Sequence, residues 1–539
     1  MADPFAADIR TPLLSGRLPD GQVIVDVDCE SGDRLVEGGG AAGEENPFEF
    51  LGAPALSLSL PLPIPIDPFR NRTPGMSVLD WCKAVVCLPI ALVRLALFGL
   101  ALLVGYLATK VALEGWKDRT RPMPRWRCRI MTITRICSRC ILFSFGYHWI
   151  TRIGRPASRE IAPIVVCNHV SYVEPIFFFS ELFPTIVASE SHDTLPFVGT
   201  IIRAMQVIYV DRFSPSSRKN AVNEIKRKAS CNEFPRVLLF PEGTTTNGRF
   251  LISFQLGAFI PTLPIQPVVV RYPHVHFDQS WGSISLAKLM FKMFTQFHNF
   301  MEVEYLPIIF PDEEESATNF AKRTSHRMAS ALNVVQTSHA YGDLMLLTRA
   351  SELAKVKIHD KCSNFLVEMA WIESSFSIST SEAMELMEQF CFMNPDSNGR
   401  VKVDDFLIAF GLGNDTRSEK IFAYIDVEKR RSVTFQQFLI GSALVRKQPL
   451  FMRACETAYM ACCDSKSSCI AKEQFHDIFR AIIPTTSKDS IARLFDLFDA
   501  ENNGKISRDD FMRCLWKHPL LVGLFPSLID SSLATVHAS

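Results

Sequence analysis

Between about residues 146 and 330 short apolar runs alternate with polar stretches of helical spacing. The apolar runs fall at 164–167, 185–189, 206–210, 236–240, 265–271 and 302–308. The first, Ile164-Val165-Val166-Cys167, offers no polar face, as expected of a strand buried on both sides of a parallel sheet. Residues 216–230 carry Arg218, Lys219, Lys226, Arg227 and Lys228 and read as an exposed basic helix. This alternation predicts an α/β domain with a largely parallel sheet. Residues 84–108 are almost wholly apolar and long enough to cross about 30 Å of hydrocarbon. Pro89 and Arg94 interrupt their first half, and a charge at that depth favours a tilted, snorkelling or re-entrant membrane helix. From 375 to 525 the spacing becomes helix–loop–helix, after a helical linker over 331–374. Residues 1–75 show neither period. Gly38-Gly39-Gly40 and the alternating prolines from Leu60 to Ile66 predict a disordered, partly polyproline-like arm, and 526–539 reads as a tail.

Charge sharpens the membrane reading. Over 76–145 the apolar segment is followed by Lys110, Lys117, Arg119, Arg121, Arg125, Arg127, Arg129, Arg135 and Arg139, with Trp116 and Trp126 among them. The positive-inside rule places that flank in the cytosol, and the mixture suits an anionic lipid surface. The 41 Phe against 9 Tyr also point to lipid contact. Zero net charge gives no reason to expect nucleic acid. The 15 cysteines include one lone CxxC at Cys137 and Cys140 and no zinc spacing, and with no signal peptide after Met1 they are expected to be reduced thiols.

The candidate chemistry begins where the first strand ends, at Asn168-His169-Val170-Ser171-Tyr172-Val173-Glu174-Pro175. A histidine at a strand-to-helix junction stands where open α/β sheets place their sites. A carboxylate five residues on can take one ring N–H and leave the other nitrogen free to accept a proton. The same letters fit a histidine that caps the next helix beside a solvated glutamate. Three further stretches lie at strand ends or turns: Val210-Asp211-Arg212, Phe240-Pro241-Glu242-Gly243-Thr244 and Pro264-Ile265-Gln266-Pro267-Val268.

In order and spacing these four stretches resemble the motifs of the glycerolipid acyltransferase family. The resemblance implies transfer of a fatty acyl group from acyl-CoA to a glycerolipid hydroxyl, with no cofactor for catalysis. It implies His169 as general base oriented by Glu174, and acceptor binding by Arg212, Glu242, Gly243 and Thr244. Cys167 also suggests a covalent route, though a strand-end cysteine is more often simply buried. Two departures stand out. The family usually carries Asp where this chain has Glu174, and Arg after the FPEGT stretch, where this chain has Thr245-Thr246-Asn247-Gly248-Arg249. Fewer cations near the site suit a phosphodiester better than a phosphomonoester.

The C-terminal spacing narrows the resemblance to EF-hand-bearing acyltransferases of lysophospholipids. Residues 499–510 fit a twelve-residue ion loop with Asp499, Glu501, Asn503, the carbonyl of Lys505, Ser507 and Asp510 as ligands. Residues 394–405 fit a weaker one, through Asn394, Asp396, Asn398, Arg400 and Asp405. Asp rather than Glu at position twelve predicts modest Ca²⁺ affinity, with Mg²⁺ competing. The loops at 426–433 and 463–474 have lost ligands and are expected to pair structurally with the other two. The resulting expectation is an α/β acyltransferase domain with an N-terminal membrane helix and an all-α EF-hand domain. It would act on endomembranes (endoplasmic reticulum or Golgi), with both domains cytosolic. Its partners would be membrane lipid, acyl-CoA and a lysophospholipid, lysophosphatidylethanolamine being favoured; no oligomeric state is implied. The competing readings are acylation of lysophosphatidic acid or glycerol 3-phosphate, and an inactive membrane-anchored calcium-responsive adaptor.

Overall fold

The computed structural model describes residues 46–526, apart from 57–65, 74, 117, 119, 213, 274, 283, 355–362, 464–468 and 485. The expected arm through residue 45, the proline-alternating run at 57–65, Lys117, Arg119 and the tail from 527 lie outside the described residues.

Three helices open the described chain: α1 (Val78–Val86), α2 (Leu88–Leu113) and α3 (Arg125–Ser144). Ser77 and Asp80 close a capping box on α1, and Pro89 sits in the first turn of α2, where a missing N–H costs nothing. Pro89 therefore starts a helix instead of interrupting one. Among the described residues α2 is the one helix long and apolar enough to cross a membrane. Its small face, Ala101, Gly105, Thr109 and Ala112, packs against α3. A Cβ on Gly105 would come 3.2 Å from Cys137 Cβ, and the Thr109 and Thr134 hydroxyls both bond the Gly105 carbonyl, at 2.7 and 3.2 Å. This close backbone approach is how small residues let apolar helices pair.

The sheet follows, with β1 (Thr151–Ile153), β2 (Ile164–Cys167), β3 (Thr185–Ser189), β4 (Ile208–Val210) and β5 (Val237–Leu239). The short β6 (Phe250–Leu251) precedes β7 (Ile265–Arg271) and β8 (Glu302–Tyr305), and β9 (Val335–Gln336) pairs with β6 apart from the main sheet. The main order is β1-β8-β7-β2-β5-β3-β4. Only β7 and β8 run antiparallel, so the sheet is mixed. β2 lies between β7 and β5 and is wholly buried, which is why its sequence has no polar face. Helices α4 (Val173–Glu181), α5 (Val198–Ala204), α6 (Pro215–Ser230), α7 (Leu286–Phe294) and α8 (Ala317–Leu332) surround it.

Beyond α9 (Tyr341–Ala354) and α10 (Met369–Phe376) the chain is helical, with two small strand pairs. Its helices are α11 (Thr380–Phe392), α12 (Val403–Ala409), α13 (Thr416–Ile425), α14 (Phe435–Lys447), α15 (Phe451–Cys462), α16 (Lys472–Ile482), α17 (Lys488–Phe498) and α18 (Arg508–Lys517). Between them β10 (Arg400–Lys402) pairs antiparallel with β11 (Ser432–Thr434), and β12 (Cys469–Ala471) with β13 (Lys505–Ser507). The central pairs, Val401 with Val433 and Ile470 with Ile506, are fully buried and lock the loops together two by two.

Three expectations change. The arm does not stay loose to residue 75. Phe48 packs edge-on against Tyr424, Asn71 bonds the Asp278 and Ser280 carbonyls, and Phe69 is buried. Arg94 does not snorkel: it is buried and donates to the carbonyls of Phe294, Gln296 and Phe297 just past α7, where a cation complements the helix dipole. Several basic residues beyond α2 also face protein. Arg135 bonds the Ser180 and Glu181 carbonyls at the end of α4, Arg139 bonds those of Tyr147 and His148, and Arg127 reaches that of Ala112. Free carbonyls at or just past helix ends attract these guanidinium groups more specifically than a lipid surface does.

Candidate active site

The site forms at the carboxyl end of β2. Asn168 fastens that end to its neighbour, its amide donating to the Val270 carbonyl (2.9 Å) and accepting the Val270 N–H (2.8 Å). The next residue, His169, is thereby held at the carboxyl end of a central strand. Its Nδ1 lies 3.0 Å from Glu174 Oε2. A carboxylate can only accept, so Nδ1 carries the proton and Nε2 keeps its lone pair. Glu174, in the first turn of α4, is fully buried and also accepts the Ser171 N–H on both oxygens, at 2.9 and 3.0 Å. The methylene by which Glu174 exceeds Asp is absorbed in this fold-back, and the pair is intact. The Phe240 ring stacks on the imidazole at 4.1 Å. The His169 side chain keeps 18% of its surface exposed, and among the described residues no protein group pairs with Nε2.

Glu242 holds the base from behind. It is wholly buried and accepts the His169 N–H at 2.8 Å, while the Thr246 N–H donates to the His169 carbonyl at the same distance. This carboxylate has no exposed surface: one oxygen is on the backbone of the base, which gives it a positioning contact the letters do not show, and Oε2 is buried without a hydrogen-bond partner. Burial pushes the Glu242 carboxyl up to about 8, with the His169 N–H and Thr246 hydroxyl pulling the other way. Gly243 turns the chain at φ +74°, a conformation that favours glycine, and Thr244 beside it is half-buried. Thr245 donates to the Trp281 carbonyl at 2.9 Å, and Arg249 is exposed. Gln266, of the last motif, is structural: it accepts from Ala157 N–H and Arg236 and donates to Arg155 O.

Arg212, half-buried after β4, lies with its guanidinium carbon 4.5 Å from the centre of the Tyr341 ring. Cys167 is fully buried with its thiol pushed well up by burial, which removes it as a nucleophile. The sequence reading gave no role to Asn168, Phe240 or Tyr341. The first two stand inside quoted motifs; Tyr341 carries no local signal, because its contact is made only by the folded chain.

In the last C-terminal loop Asp499 is buried and accepts the N–H groups of Asn503 and Gly504, at 3.1 and 2.8 Å. The Lys505 N–H donates to Asn503, whose amide reaches Glu501 at 3.2 Å. Asp510 Oδ2 accepts from Ser507 in a capping box, while the buried Oδ1 has no hydrogen-bond partner. The first loop departs from the expected ligand set. Asn394 is exposed at φ 57°, the Arg400 carbonyl accepts the Asp396 N–H, and the Arg400 guanidinium pairs with Glu428 at 2.8 Å. The Arg400 guanidinium thus turns to the paired loop, while one lone pair of its carbonyl is taken within its own. Among the described residues no three His, Cys, Asp or Glu side chains form a metal-sized cluster.

The acyltransferase family model matches residues 153–271, the stretch that carries all four motifs. The lysophospholipid acyltransferase LPEAT2 of Arabidopsis thaliana is 56% identical over 97% of this chain and 99% of its own length. A lysophosphatidylcholine acyltransferase of Drosophila melanogaster is 30% identical over 83% of this chain and 85% of its own. The human lysophosphatidylcholine acyltransferase 2 is 29% identical over 84% and 82%. The reading as an inactive adaptor leaned on Glu174 and on the missing arginine after the FPEGT stretch; the first of these completes the His–carboxylate pair. With this relatedness extending across both halves of the molecule, the chain is an acyltransferase and belongs to the lysophospholipid acyltransferase family.

Proposed function

We propose that the protein moves a fatty acyl group from acyl-CoA to the free hydroxyl of a lysophospholipid, with lysophosphatidylethanolamine the favoured acceptor. The observation that carries this is the oriented His169, with Nδ1 committed to a buried carboxylate and Nε2 uncommitted. As the acceptor oxygen attacks the thioester carbonyl its proton passes to Nε2, and Glu174 stabilises the imidazolium. Collapse of the adduct expels CoA thiolate, which takes the proton back, so no acyl-enzyme is needed. Arg212 supplies a guanidinium for the headgroup phosphate. Thr245 in place of a cation supports a phosphodiester over a phosphomonoester. The test presents purified full-length protein with acyl-CoA and lysophosphatidyl-ethanolamine, -choline and -serine, lysophosphatidic acid and glycerol 3-phosphate. Faster turnover of the last two would overturn the acceptor assignment.

The C-terminal loop pairs have the spacing and strand pairing of EF-hands. Asp499, Glu501, Asn503, the Lys505 carbonyl and Asp510 would hold Ca²⁺ or Mg²⁺ there; Asp510 Oδ1 is buried, accepts no hydrogen bond and has only the Arg513 guanidinium, 3.8 Å away, as a charged neighbour. The ion would stabilise the domain without taking part in acyl transfer.

The protein sits on an endomembrane through α1–α3, entering from one side. Leu92, Val93, Leu100, Leu103, Leu107 and Val111 leave one side of α2 exposed and apolar. Its other side touches the catalytic region along its length, from Arg94 at the α7 end to Tyr106 against Phe197. Residues 67–71, before α2, bond Asn247 and Ser280, after it. The chain on both sides of α2 therefore belongs to one face of the membrane, and α3, with its arginines, makes a poor return span. This supports a helix that dips into one leaflet.

A further inference from the structure

Tyr341 connects features that are distant in the sequence. Its ring lies 4.5 Å from the Arg212 guanidinium carbon. The same residue flanks the turn that follows β5, since a Cβ built on Gly243 would lie 3.8 Å from Tyr341 Cβ. One aromatic ring thus stands between the candidate phosphate ligand and the turn next to Glu242, which holds the base. Yet Tyr341 opens α9, outside the stretch at 153–271 that the acyltransferase family model matches.

The backbone that carries the ring is fixed from several directions. Upstream, β9 pairs with β6, and the Ser253 N–H donates to the His339 carbonyl at 2.9 Å. Downstream, a Cβ on Gly342 would come 2.6 Å from Thr380 Oγ1 and 3.2 Å from Met369 Cβ. Asp343 is fully buried and accepts the N–H groups of Ala340, Val367 and Met369, at 2.8, 3.0 and 2.9 Å. The helix then packs on α11, the first helix of the first C-terminal loop pair. An arginine has many rotamers; laid on an aromatic face carried by a fixed backbone, its planar guanidinium loses much of that freedom before a ligand arrives.

We propose that Tyr341 is a positioning residue for the acceptor site: the segment that docks the C-terminal helices supplies the ring that holds Arg212 ready for the phosphate of a lysophospholipid headgroup. This rests on the phosphate-binding role proposed for Arg212. It also means that the acceptor site is completed from outside the catalytic sheet.

Full-length wild type, Y341L, Y341F, R212A and Y341L/R212A are compared in mixed micelles. Lysophosphatidylethanolamine is varied at saturating acyl-CoA, and then the reverse. Y341L should raise the acceptor KM about five- to tenfold, the size of a partly desolvated cation–π contact. The kcat and the acyl-CoA KM should stay put. Y341F, which keeps the ring, should restore the acceptor KM, and leucine should add nothing in the R212A background. An unchanged KM in Y341L beside a raised one in R212A overturns the proposal and leaves the role of Arg212 standing. Equal effects of leucine in both backgrounds assign Tyr341 to general support of the fold and overturn it as well. An unchanged acceptor KM in R212A removes Arg212 from the acceptor site, and this proposal with it.

Discussion

His169 is poised by three contacts of different kinds: a ring nitrogen on Glu174, a backbone N–H on Glu242 and a face on Phe240. These groups have separable effects. Glu174→Gln keeps the shape and loses the charge that stabilises the imidazolium, so kcat should fall while the acyl-CoA KM holds; an unchanged kcat would remove Glu174 from the mechanism. Glu242 makes a prediction about pH. Its carboxyl titrates near 8 when folded against an ordinary 4.5, so the folded chain binds that proton more tightly than the unfolded one. Its contribution to stability is complete below about 4.5 and is lost as pH rises through about 8. Glu242→Gln keeps an acceptor for the His169 N–H and cannot ionise. The melting temperature of wild type should therefore drop more steeply across that window than that of Glu242→Gln, and parallel curves would refute the assignment. The His169–Glu174 pair was legible because both residues lie in one short stretch. The use of Glu242 was not, because it depends on β2 and β5 being neighbours in the sheet.

At the scale of elements, the apolar length of α2 could be read from the sequence, but what its single arginine does could not. The carbonyls that Arg94 serves lie at 294–297, and only the packing of α2 near the end of α7 brings them within reach. The α2–α3 contact depends on Gly105, whose added Cβ would crowd Cys137. Gly105→Leu should cost about 1–3 kcal/mol, the usual penalty for overpacking, and expose the buried Cys137 thiol to maleimide. Labelling no faster than in wild type would show that the two helices do not rely on this approach. In the C-terminal helices the loop spacing was legible, but the side-chain pairing between loops was not. The Arg400 guanidinium engages Glu428 of the paired loop, a partner that only the β10–β11 pairing brings near. Asp499→Ala with Asp510→Ala should abolish Ca²⁺-dependent thermal stabilisation and leave basal acyl transfer intact. A folded double variant as inactive as His169→Ala would make the loop part of the catalytic apparatus.

For the molecule as a whole, the segments preceding α2 hold the chain together. Phe48 packs against the C-terminal helices, and Asp67 and Arg70 present carbonyls to Asn247 beside the catalytic turn. Composition alone suggested disorder there, since isolated aromatic anchors among glycines and prolines leave no periodic trace. The same contacts support the proposal that the chain on both sides of α2 faces one side of the bilayer. Tags at residue 1 and residue 539 should both be cleaved by protease added outside sealed microsomes, and protection of either would restore a spanning helix. The central claim is that an oriented imidazole at the end of β2 deprotonates the acceptor. Its most direct test is the turnover of purified, folded His169→Ala with acyl-CoA and lysophosphatidylethanolamine. Loss of a general base predicts a kcat roughly 10²–10⁴-fold below wild type, with acyl-CoA binding retained; turnover within a few-fold of wild type would contradict the mechanism.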